Sequence, residues 1–61
     1  MEFEKYILAI ITTNPDKVRA GTSVFYCENE REMKRVAVNL EAILDGIAHL
    51  ITDDVMIIVK H

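Results

Sequence analysis

Few side chains in this 61-residue chain have the type and spacing to do chemistry, and each has a structural explanation beside it. The single cysteine, Cys27, stands just before a stretch that reads as a helix, where the positive end of the dipole lowers a thiol pKa. Glu28 and Glu30 beside it push the other way, and neither His49 nor His61 falls where it would serve as its base. Cys27 is therefore expected to be a half-buried strand-end residue, because a free cysteine mostly behaves as a small hydrophobe. Asp45 and His49 stand four apart, the spacing of a surface pair or of two metal ligands on one helix face. Zinc needs three or four ligands, and Asp53-Asp54 reads more simply as a turn. No metal and no cofactor is expected.

Other catalytic patterns are missing. The chain carries no phosphate loop, dinucleotide fingerprint or nucleophile elbow, and Gly21 and Gly46, its only glycines, cannot build a glycine-rich cradle. Lys17, Arg19, Arg31, Lys34 and Arg35 could form a basic patch, but Glu28, Glu30, Glu32 and Glu41 interleave with the helical members. Seven basic against ten acidic residues give a formal charge of −3, which argues against nucleic acid as a main partner. An enzyme is not expected.

The elements that position these residues follow from periodicity. From Asn29 to Ile51, apolar residues at Met33, Val36, Ala37, Leu40, Ile43, Leu44, Ile47, Ala48, Leu50 and Ile51 recur mainly at steps of three and four, predicting one helix over about 29–51. Asn29 is a suitable N-cap, with Glu32 three residues on. Phe3 to Thr13 is apolar on both parities and predicts a central strand over about 3–13. Asn14-Pro15-Asp16-Lys17 is a turn tetrad, and the alternation from Val18 to Cys27 predicts a second strand over 18–27, paired with the first as a hairpin. Val55 to Val59 closes the chain with a third strand, over about 54–60.

The expected fold is a single small α+β domain over 1–61. It is a two-layer β-β-α-β arrangement with a three-stranded antiparallel sheet in the order 2-1-3 and one long helix on one face. A helix on one face leaves the other open, and that face is expected to hold Tyr6, Leu8, Ile10 and Phe25. Val38, Ala42 and Gly46 are expected along the outer side of the helix, where small residues allow another helix to approach. These seven are the candidate partner or oligomer interface. Lys17, Arg19 and Cys27 are candidate ligand or contact residues.

Hydrophobic content of 51% exceeds what one small core hides, so self-association as a homodimer or higher oligomer is expected. The function this composition favours is a small non-catalytic intracellular interaction protein, an adaptor, regulator or inhibitor that binds a protein partner. The alternatives are a small-molecule-sensing module with a ligand at the oligomer seam (Tyr6, Arg19, Phe25 and Cys27) and a weak nucleic-acid-binding protein. The N-terminal stretch lacks a basic n-region, and no run approaches the ~20 apolar residues of a membrane helix. With one unpaired cysteine, the expectation is a cytoplasmic protein, or a host-cell interior if virus-encoded.

Overall fold

The computed structural model describes residues 7–60. Five elements follow in chain order: β1 (Ile7–Thr12), β2 (Val24–Tyr26), α1 (Glu30–Leu44), β3 (Gly46–Thr52) and β4 (Val55–Lys60). The class is α+β, with the helix on one face of a four-stranded sheet ordered β2-β1-β4-β3. The sheet is mixed: β1 runs parallel to β2 and antiparallel to β4, and β3 and β4 form an antiparallel hairpin.

Two expectations are corrected. The first is the hairpin between strands one and two. Asn14 to Lys17 does make a turn, with the Lys17 N–H donating to the Asn14 carbonyl at 3.1 Å and the Asp16 N–H to the Asn14 side chain at 3.0 Å. The chain then does not pair back along β1. Residues 18–23 run as a loop, and only Val24–Tyr26 form a strand, parallel to β1, with the Ile10 N–H donating to the Ser23 carbonyl and the Cys27 N–H to the Thr12 carbonyl. Alternation over 18–26 carried no hydrophobic weight, since Arg19, Ala20, Gly21, Thr22 and Ser23 are all exposed. The Tyr26 hydroxyl donates to the Val18 carbonyl at 2.7 Å and holds the returning loop against β2.

The second correction is the helix. It starts as expected: the Asn29 side chain accepts from the Glu32 N–H, and Glu32 in turn accepts from the Glu28 N–H, each at 2.8 Å. It ends at Leu44, not Ile51. Asp45 takes a left-handed conformation (φ 55°, ψ 51°), one that Asp tolerates better than most residues, and its N–H bonds back to the Glu41 carbonyl. Gly46–Thr52 is a strand, so the sheet has four strands where three were expected. Its apolar residues fit a 3.6-residue period only by coincidence; Ile47, Ile51 and Thr52 are β-branched and suit a pleated strand. The expected placement of β4 beside β1, antiparallel, agrees with the structure, and β3 adds outside it.

Met33 and Ala37 on α1 pack over Ala9, Ile11, Cys27 and Ile58, with Leu8, Val36, Leu40, Leu44, Ala48 and Met56 partly buried around them. Thr12 is the buried polar residue among those described, and its hydroxyl donates to the Asp54 carbonyl at 2.6 Å and accepts from the Asn14 N–H at 3.0 Å. Burying a hydroxyl is costly unless it is bonded, and here it joins β1 to the β3–β4 turn.

Candidate partner-binding surfaces

Strand pairing determines which side chains share a face. Ala9 pairs with Ile58 and Ile11 with Met56, and these contact the helix. On the opposite face, Val24, Ile10, Ile57 and His49 align across the four strands, and Ile7, Val59 and Ile47 align beside them. Among the described residues no helix covers this side. A register shift between Ile7 and Ala9 brings Leu8 to the helix side, where it packs against the core. Leu8 and Phe25, both expected on the open face, are therefore placed otherwise: Phe25 pairs with Ile11 and shares its helix-side face at the sheet margin. Ile10 is on the open face, and Tyr6 lies outside the described residues.

The expected helix stripe does not form as one surface. Val38 and Ala42 are exposed on α1, but Gly46 is the first residue of β3. A Cβ on Gly46 would lie 2.7 Å from both Ile58 Cγ2 and the Val59 carbonyl oxygen, so glycine there permits close approach of β3 to β4. Exposed apolar residues that periodicity had assigned to a buried helix face are instead concentrated near this strand: Ile43 is 74% exposed, Leu50 56%, Ile51 57% and Ile47 41%. On β3 the available signal was the β-branched residues Ile47, Ile51 and Thr52.

At the other end of the sheet, Lys17 Nζ lies 2.9 Å from Asp54 Oδ1, which also accepts from the Thr52 hydroxyl at 2.8 Å. The Lys17 and Thr52 hydrogen bonds hold the Asp54 carboxyl down to about 2. This cluster ties the 14–17 turn to the β3–β4 turn, and so engages Lys17. Arg19 is exposed on the loop. Lys34 pairs with Glu30 one turn away at 3.4 Å. Cys27 is buried, and desolvation, followed by the nearby Glu32 charge, raises its thiol pKa. That is the opposite of what an activated thiolate needs.

A shallow cavity of about 230 Å³ opens beside β1, lined by Ile7, Ala9, Ile10 and Ser23. It is smaller than the ~300–1,000 Å³ typical of small-molecule sites and offers almost no side chain to orient a polar ligand. Among the described residues no group of three or more His, Cys, Asp or Glu is placed to hold a metal ion, and no helix is long and apolar enough to cross a membrane.

The surfaces that remain are an apolar sheet face and an apolar strand edge, both suited to protein contact. Comparison with known proteins gives no match among solved structures. The chain is 60% identical over 57 residues to a Bacillus subtilis (strain 168) protein described as "Uncharacterized protein YpzH", covering 93% of this chain and 89% of that protein. A family model described as "Capping complex subunit for YIEGIA" matches residues 4–61, and the chain belongs to that family.

Proposed function

We propose that this chain is a small non-catalytic subunit of a protein complex, acting by occupying a surface of a YIEGIA protein. The observation that carries this reading is the open sheet face, where Val24, Ile10, Ile57, Ile7, Val59 and Ile47, with His49 at the β3 end of the row, form a largely apolar layer with no helix over it among the described residues. Apolar faces of this kind on small proteins mark interaction sites. Membership of a family described as a capping complex subunit for YIEGIA supports the reading, because the match spans nearly the whole chain. Buried, high-pKa Cys27 and a small unpolarised cavity favour binding over catalysis. A cytoplasmic location fits the unpaired cysteine.

A second reading, self-association, rests on the same face. Two copies packed sheet on sheet would bury these rows against each other, and such packing is a standard way to close an exposed sheet. The two readings separate by experiment. Co-expression with a YIEGIA protein from the same genome should yield a co-purifying complex that Ile57→Lys disrupts and Val38→Lys does not. Sedimentation of the chain alone measures whether it also pairs with itself. Absence of a complex in co-expression overturns the first reading, and a monomer at micromolar concentration overturns the second.

A further inference from the structure

The outer edge of β3 has a polarity that the sheet face lacks. Ala48 pairs with Ile58 across the hairpin, yet its N–H donates to Glu41 Oε2 at 2.7 Å and so points away from β4. Backbone groups alternate in direction along an antiparallel ladder, so those of Gly46 and Leu50 point outward with Ala48. No strand pairs with this side among the described residues. The edge also lacks the usual protections: Gly46–Thr52 contains no Pro, Lys or Arg, and its exposed side chains are Ile47, His49, Leu50, Ile51 and Thr52, three of them large and apolar. Among the described residues Glu41 is its one side-chain guard, and it covers a single N–H.

Charge decides what fits there. From Val36 to Val59 the chain has no Lys or Arg, while Glu41, Asp45, Asp53 and Asp54 are all acidic. Asp54 is engaged by Lys17, and Lys60 stands opposite Gly46 at the far end of the ladder. A second copy added along β3 about a two-fold axis near Ala48 would bring one Glu41 carboxylate against the other, and facing like charges destabilise a strand pair. An extended segment with a basic side chain meets the opposite situation. It takes over the Ala48 N–H, releases Glu41, and supplies a Lys or Arg to the freed carboxylate.

We propose that the β3 edge accepts an added strand from a protein partner, apolar at alternate positions and carrying Lys or Arg opposite Glu41. This rests on the reading that the chain works by binding a protein, and it adds to the open sheet face a second contact, with the chemistry of the segment that contact takes.

The test uses the ¹⁵N-labelled chain and two synthetic probes: a peptide of alternating Val and Thr flanked by lysines, and its twin flanked by glutamates. The lysine peptide should shift amides centred on residues 46–52 and slow exchange at Gly46 and Leu50. The glutamate twin should bind about tenfold more weakly, as expected of a charge-assisted contact near the surface. Leu50→Pro removes an outward N–H without touching a β3–β4 bond and should abolish binding; Glu41→Gln keeps an acceptor for Ala48 and should equalise the two peptides. Equal binding of both peptides by the wild-type chain, shifts centred on Val38 or on the open face, or concentration-dependent protection of β3 in the chain alone overturns the proposal. A YIEGIA complex that survives both Leu50→Pro and Glu41→Gln overturns it while leaving the partner reading intact. Failure of the wild-type chain to form that complex, with the lysine-peptide result as expected, overturns the partner reading alone.

Discussion

The Glu41 carboxylate on α1 accepts the Ala48 backbone N–H on β3 at 2.7 Å, a side chain from the helix closing a gap at the edge of the sheet. Glu41→Ala removes this acceptor. Because the N–H lies at the margin and water can replace part of the bond, the cost should be about 0.5–1.5 kcal/mol. Urea unfolding measures it, and Glu41→Gln should recover most of the loss. The uncovered edge of Glu41→Ala should also aggregate more readily on concentration, which light scattering would show.

Asp54 should give the fold a specific acid sensitivity. Its carboxyl ordinarily titrates at 3.8 and is held to about 2 in the folded chain, first by the Lys17 hydrogen bond and then by that of Thr52. Above 3.8 it is ionised in both states, and its contribution is fully present. As pH falls from 3.8 towards 2 the unfolded chain takes up the proton first, so stability drops; below about 2 the contribution is gone. Thermal melts across this window should show a slope that Asp54→Asn reduces. An unchanged slope would refute the role assigned to the Lys17–Asp54 pair.

Gly46→Ala places a Cβ 2.7 Å from Ile58 Cγ2 and from the Val59 carbonyl oxygen. The carbonyl belongs to the backbone, so β3 must shift away from β4, and overpacking of this kind costs about 1–3 kcal/mol. For a chain of this size each kcal/mol lowers the melting temperature by roughly 4–8 °C. Had Gly46 been in an exposed helix, the same change would have raised stability by up to about 1 kcal/mol. Calorimetry therefore distinguishes the two placements by sign.

Cys27 should react slowly. Burial and the Glu32 charge keep its thiol protonated, so disulfide-exchange reagents at neutral pH should label the folded chain far more slowly than the chain in urea. Glu32→Gln should speed labelling modestly by removing the repelling charge. It also exchanges the acceptor of the Glu28 N–H, and circular dichroism checks that the helix start is retained. Labelling as fast in the folded chain as in urea would overturn the buried placement.

Local signals decided the start of α1 and the 14–17 turn. Asn29 and Glu32 act over a few residues, and the Asn14 side chain makes its own turn, so these features are written where they occur. The buried face through Met33, Val36, Ala37, Leu40 and Leu44 was equally legible, because a helix stripe depends only on neighbours one turn away. Tertiary contacts decided the rest. Whether Gly46 to Thr52 continued the helix or reversed into a strand depended on Asp45 adopting a left-handed turn and on β4 offering a ladder with room for a residue without a Cβ. Whether Val24–Tyr26 ran antiparallel or parallel to β1 depended on where the 18–23 loop came to rest, fixed by Ser23, Thr12 and the Tyr26 hydroxyl. The candidate surfaces follow those two choices: once β3 left the helix, Ile47, Leu50 and Ile51 moved from an expected core to an exposed edge, and Glu41 became its guard.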